Sequence, residues 1–182
     1  MKTYKIEGII LRRRNFGEAD RILTILSRES GKISVKAPGV RRIPSRRSAH
    51  VELLNLSQLT LYKSSRSFMP LLTEAQTMED FSSIKDDLHK IGYAYYICEL
   101  INGLCADNQE NKNVFFYLKS TLSALSQTSN AKALVKNFER NLLSILGFWP
   151  EVKLLQTCDS QTVMERLLER KIKTLRVLPL FA

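Results

Sequence analysis

The stretch Gly31–His50, GKISVKAPGVRRIPSRRSAH, joins two patterns. Its first part alternates, with Ile33, Val35 and Ala37 on one side and Lys32, Ser34 and Lys36 on the other, which is the period of a half-buried strand. Pro38-Gly39 ends the strand, and a loop then sets Arg41, Arg42, Arg46 and Arg47 around Pro44. No acidic residue lies between Lys32 and His50, so these cations repel one another unless water or a polyanion meets them. A solvated charge run and a polyanion-binding loop read alike at this point, and the flanking chain decides between them.

On the amino-terminal side, Tyr4–Arg12 (YKIEGIILR) predicts a long first strand with Tyr4, Ile6, Gly8 and Ile10 on one face, the glycine marking a bend or bulge. Arg12-Arg13-Arg14 and Asn15-Phe16-Gly17-Glu18 form the connection to a second strand, Arg21–Ser27, which ends in the turn Glu29-Ser30-Gly31. Beyond the basic loop, Val51–Tyr62 predicts a long, bulged fourth strand and Met69–Met78 a fifth. Five strands without a helix of any length fit a small closed barrel of the oligonucleotide/oligosaccharide-binding (OB) kind, whose loops flank a nucleic-acid groove. Arg12, Arg13, Arg14, Arg21, Lys36, Arg41, Arg42, Arg46 and Arg47 can track a phosphate backbone, and Phe16, Tyr62 or Phe68 can stack on bases. Aromatics on half-buried strands also serve as core.

After Phe81 the period changes from two to near 3.6. Ile84, Leu88, Ile91, Tyr95, Cys98, Ile101 and Cys105 form the seam of a long helix or a pair, capped at Ser82 or Ser83 and ending near Asn108. Val114, Leu118, Leu122 and Leu125 mark a second helix. Asn130 caps a third, with Leu134, Phe138, Leu142 and Ile145 as its seam and Gly147 and Pro150 as its stop. Thr162-Val163-Met164-Glu165 has capping-box spacing before a fourth, which turns Leu167, Leu168 and Ile172 inward. The expectation is an α+β chain: an OB barrel over residues 1–80 and an all-α bundle over residues 81–182.

Composition narrows the function. The net charge is +10, and residues 1–50 hold 13 Lys+Arg against 4 Asp+Glu, a local excess of +9. Such a patch suits nucleic acid, an anionic membrane or an acidic partner. No apolar run approaches the roughly 18 to 20 residues of a membrane span, and MKTYKIEGII is too polar for a secretory signal, so a cytoplasmic protein is expected. Cys98, Cys105 and Cys158 are too few and wrongly spaced for a disulfide framework or a four-ligand zinc site. Phosphate-cradling glycine loops, histidine metal motifs and nucleophile elbows are missing. Glu79-Asp80 and Asp86-Asp87 suit a helix start better than a nuclease centre. Glu18 and Asp20, among arginines, are expected to pair with Arg21 or a loop cation and fix the first turn.

Residues 7–42 carry, in order, a strand containing Gly8, the segment Gly17-Glu18-Ala19-Asp20-Arg21-Ile22-Leu23-Thr24-Ile25-Leu26, then Gly31-Lys32 and Gly39-Val40-Arg41-Arg42. That order is similar to the N-terminal signature of the RecO family of bacterial DNA repair proteins. Tyr93–Leu100 (YAYYICEL) resembles the family's A-x-Y-x-x-E-L helix, and Leu143–Pro150 (LSILGFWP) its L-L-G turn. The resemblance implies a non-enzymatic mediator that binds single- and double-stranded DNA, anneals complementary strands, and with RecR helps RecA replace single-strand-binding protein on gaps. It implies RecR and the acidic C-terminal tail of single-strand-binding protein as partners, the helical part being their seat, and RecA indirectly. Many members follow the L-L-G turn with a four-cysteine zinc-binding insertion. This chain keeps only Cys158 there, so no metal, no cofactor and a shorter protein are expected. An OB-type RNA-binding module of the translation apparatus would need the same charges, and a nuclease would need the carboxylate cluster that the sequence lacks.

Overall fold

A computed structural model of the chain describes residues 2–65, 67–148, 159–176 and 178. The first five elements are strands: β1 (Lys2–Phe16), β2 (Asp20–Ser27), β3 (Gly31–Ala37), β4 (Leu56–Lys63) and β5 (Leu71–Glu79). They close into a barrel in the order β1-β2-β3-β5-β4, the OB arrangement within an α+β chain. All neighbours are antiparallel except β3 and β5, which meet in parallel at Lys36 and Leu71, where the Lys36 amide donates to the Pro70 carbonyl at 3.0 Å. The alternation read from the sequence fills the interior: Ile6 and Ile10 from β1, Leu23 and Ile25 from β2, and Ile33 and Val35 from β3 pack with Leu59, Leu61 and Leu72.

Three expectations about the strands need correction. β1 does not stop at Arg12 but runs to Phe16 as a hairpin with β2, so Arg12, Arg13 and Arg14 are strand residues. The bulge falls at Leu11, between Ile10 and Arg12, and not at Gly8. Gly8 is small for a different reason, since a Cβ there would lie 2.5 Å from the Ile25 Cγ2 methyl. Val51–Asn55 is not strand either. A 3₁₀ turn at Ala49–Val51 leads to Leu54 with φ +71°, and the Leu54 amide and Asn55 carbonyl bond back to Ile10 at 3.0 and 3.1 Å. Apolar residues there alternate irregularly because the backbone is turning.

The chain divides into two compact units, residues 1–80 with 106–115, and residues 81–105 with 116–182. In the first, residues 106–110 form a strap over the β2–β3 turn. The Asn108 amide donates to the Lys32 carbonyl at 2.8 Å, and the buried Lys32 places Nζ 3.1 Å from Asp107 Oδ1. Gly31 beneath it has φ +65°, and a Cβ would come within 1.8 Å of the Gln109 carbonyl oxygen, so glycine is required twice over.

The second unit is helical, built from α1 (Ser82–Lys85), α2 (Leu88–Leu104), α3 (Lys112–Gln127, from Phe116 onward in this unit), α4 (Ala131–Ile145), α5 (Ser160–Leu168) and a 3₁₀ turn at Thr174–Arg176. Neither Ser82 nor Ser83 caps the first helix. Phe81 takes the N-cap position of α1, and Asp87 caps α2 by accepting from the His89 and Lys90 amides. Asn130 caps α4 as expected, and Gly147 with φ +76° ends it. The expected capping box at Thr162 lies inside α5, which starts at Ser160. The α2 seam is broader than its spacing suggested: Leu88 and Tyr95 are exposed while Ala94, Tyr96, Ile97 and Leu100 are buried, because α2 packs against α4, α5 and the terminal 3₁₀ turn.

Two carboxylates knit this unit. Glu139 on α4 is buried and accepts from Tyr96 Oη at 2.7 Å and Ser160 Oγ at 2.5 Å, joining three helices. Glu99 on α2 accepts from Arg170 Nη1 (2.6 Å), the Lys173 amide (3.1 Å), the Thr174 amide (2.9 Å) and Thr174 Oγ1 (2.5 Å). Burial pushes the Glu99 carboxyl up, but the Thr174 hydroxyl, Arg170 and the two amides outweigh it and hold it at about 2. Cys98 is buried, which pushes its thiol up to about 12, the environment of a packing residue. Trp149, Pro150 and Cys158 lie outside the described residues. Among the described residues no helix is long and apolar enough to cross a membrane, and no three His, Cys, Asp or Glu side chains converge as a metal site.

Candidate nucleic-acid interface

The register assigns each basic residue to a side of the barrel. Arg12 stands opposite Thr24, and Thr24 opposite Ser34. Arg14 stands opposite Ile22, and Ile22 opposite Lys36. Their strand neighbours Leu23 and Val35 fill the interior, so these rows face outward. The second row continues through Leu71 to Tyr62 across the parallel closure. At its β1 end Phe16 is 45% exposed, and Lys36 Nζ lies 5.0 Å from the centroid of its ring. An outward strip therefore carries Arg12 and Arg14 of β1 and Lys36 of β3, with Phe16 beside them at the end of β1.

The loop after β3 is fixed on this strip. Asp20 Oδ1 accepts the Gly39 amide at 2.8 Å while Oδ2 lies 3.0 Å from Lys36 Nζ, and the Gly39 amide followed by Lys36 holds the Asp20 carboxyl below its ordinary range. The Arg41 amide donates to the Ala19 carbonyl at 2.9 Å, and its Nη1 to the Gly17 carbonyl at 3.2 Å. Arg47 is spent inside the loop, its two terminal nitrogens donating to the carbonyls of Leu72 and Pro38, each at 2.7 Å. An open cleft of ≈ 620 Å³ lies between the loop and β5, lined by Asp20, Gly39, Arg42, Arg46, Arg47 and Thr73 among others. Half-buried His50, beyond the loop, places Nδ1 3.0 Å from Thr77 Oγ1.

The nine predicted phosphate-binding residues thus fall into groups. Arg12, Arg14, Arg41, Arg42 and Arg46 are exposed, and of these only Arg41 is bonded through its side chain among the described residues. Lys36 is shared between Asp20 and Phe16. Arg13 and Arg21 are half-buried and converge on Glu52, with Arg21 Nη1 3.6 Å from its Oε1. The expectation that no acid neutralises this region holds within residues 32–50 but not in space, since Asp20 pairs with Lys36 and Asp107 with Lys32 from outside the stretch. Asp20 pairs with Lys36 of β3 and with the Gly39 amide, not with Arg21 or a loop cation as expected, and so holds the loop after β3. Glu52 had no signal in the sequence, because its pairing depends on the 3₁₀ turn that replaces the start of the expected strand. Of the aromatics, Tyr62 is half-buried on β4, and Phe68 between β4 and β5 is 99% exposed.

Two family models match the chain, Recombination protein O N terminal over residues 1–81 and Recombination protein O C terminal over residues 85–161. The chain belongs to the RecO family. Curated relatives bear the name DNA repair protein RecO. One from Symbiobacterium thermophilum is 33% identical over 166 residues, covering 91% of this chain and 65% of the relative. One from Roseiflexus sp. is 34% identical over 159 residues, covering 87% and 55%. One from Dehalococcoides mccartyi is 34% identical over 158 residues, covering 87% and 62%. The chain therefore spans between 55% and 65% of the length of these RecO relatives.

Proposed function

We propose that this RecO-family chain is a DNA-binding mediator that makes and breaks no covalent bond: it holds single and double strands on the outer strip of the barrel and promotes pairing of complementary strands. The observation that carries the reading is the alignment of Arg12, Arg14 and Lys36 in outward rows of the sheet, continuous with a fixed loop that presents Arg41, Arg42 and Arg46. A cationic strip that draws in two strands lowers their mutual repulsion and raises their local concentration, which speeds pairing without bond chemistry. Family membership adds RecR, the tail of single-strand-binding protein and, indirectly, RecA as proposed partners, with the helical unit as the proposed seat for the proteins.

The test is fluorescence annealing of complementary oligonucleotides coated with single-strand-binding protein. The chain is expected to accelerate pairing, and the Arg12→Ala/Arg14→Ala variant to lose most of the acceleration. Equal rates with and without the chain would refute annealing, and magnesium-dependent cleavage of the strands would refute a purely binding role.

A further inference from the structure

At the tip of the basic loop, Arg42-Ile43-Pro44-Ser45 forms a turn closed by the Ser45 amide donating to the Arg42 carbonyl at 3.0 Å. Ile43 at its apex is fully exposed, and Pro44 beside it is exposed as well. A lone exposed aliphatic is ordinary on a protein surface, but this one differs in two respects. The base of its loop is immobilised by Arg47 on Leu72 and Pro38, by Arg41 on Gly17, and by Gly39 on Asp20, so the tip is presented without having to be ordered on binding. Arg42 and Arg46 flank it in the sequence and, together with Pro44 beside it, line the cleft between the loop and β5.

We propose that Ile43, with Pro44, is a wedge that enters the base stack of duplex DNA held by Arg42 and Arg46. This rests on reading the loop as a nucleic-acid site and adds which part of the nucleic acid the tip touches. Aliphatic side chains and proline inserted at a base step unstack it and bend the duplex, the cost being offset by apolar contact with the base faces and by the flanking cations on phosphate. The arginines supply the salt-dependent part of the affinity, and the tip supplies a part that salt does not screen.

The experiment uses the full chain and a mixed-sequence duplex labelled at both ends for energy transfer, with a single strand of the same sequence as a second probe. The chain is expected to shorten the end-to-end distance of the duplex. Ile43→Ala should bind the duplex roughly tenfold more weakly with an unchanged salt slope and without the shortening, because it removes apolar surface and no charge. Ile43→Leu should restore both. If Ile43→Ala matches the parent in affinity and distance while Arg42→Ala/Arg46→Ala loses binding, the wedge is wrong and the interface stands. A loss confined to the single strand would overturn the wedge in favour of binding to unpaired bases. If the parent chain binds neither probe, the nucleic-acid reading fails and takes the wedge with it.

Discussion

At the scale of single residues, neighbours in sequence have different work. Arg46 and Arg47 are indistinguishable in the sequence, yet Arg47 is spent on two backbone carbonyls while Arg46 faces solvent. Arg42→Ala and Arg46→Ala are therefore expected each to lower the log-log salt dependence of DNA binding by about 0.7–0.9 for every phosphate that is no longer neutralised. Arg47→Ala should leave that slope nearly unchanged and instead speed hydrogen exchange at the Gly39 and Arg41 amides, as the loop base loosens. This division is not legible in the sequence, because the partners of Arg47 are main-chain oxygens that only the folded loop brings near. Glu99 gives a second case, since the sequence shows it only as part of a family-like helix segment. Its carboxyl is held well below the ordinary glutamate range, so its stabilising contribution is complete above about pH 4.5 and drains away as pH falls toward about 2. Glu99→Gln should cost on the order of 1–3 kcal/mol near neutrality and flatten the acid side of the stability profile, as measured by urea unfolding across that range.

At the scale of elements, the period-2 stretches are readable and the turns are not. β3 follows its alternation from Ile33 to Ala37, since a strand with one buried face has no other choice, whereas Lys32 at its start is buried beneath residues 106–110. The helices after Phe81 are visible from their spacing, but their caps move: Ser82 and Ser83 fall inside the short α1, and α2 starts anew at Asp87, whose carboxylate accepts the His89 and Lys90 amides. The expected start of β4 fails because Leu54 takes φ +71°, a conformation that a leucine does not advertise. Gly31 shows how tightly two elements can meet. Gly31→Ala is expected to destabilise the barrel unit by on the order of 1–3 kcal/mol, through backbone strain and displacement of the strap, and a lower thermal midpoint would register it. An unchanged midpoint would mean that residues 106–110 do not bear on the turn as described.

At the scale of the molecule, the charge asymmetry is the most informative feature of the sequence. An excess of +9 within the first 50 residues, on a run of strand-like segments, narrows the partner of the barrel to nucleic acid, an anionic membrane or an acidic protein without any knowledge of how the strands pair. What charge cannot convey is its arrangement, with Arg13 and Arg21 drawn onto Glu52 and the arginines of the outer strip and loop tip left facing solvent. Annealing by the chain is expected to slow steeply as salt is raised, in proportion to the exposed arginines engaged, and a rate independent of salt would exclude the strip as the pairing surface. Competition between matched DNA and RNA oligomers separates the repair reading from that of a translation module, with preference for DNA expected.

The strap carries one more consequence. Residues 106–110 rest on the turn that begins β3, although all of α2 separates them from the end of β5 in the chain. A ribosome making this protein releases all five strands well before it releases their last partner. The nascent barrel must wait with Gly31 uncovered until the following helix has also emerged.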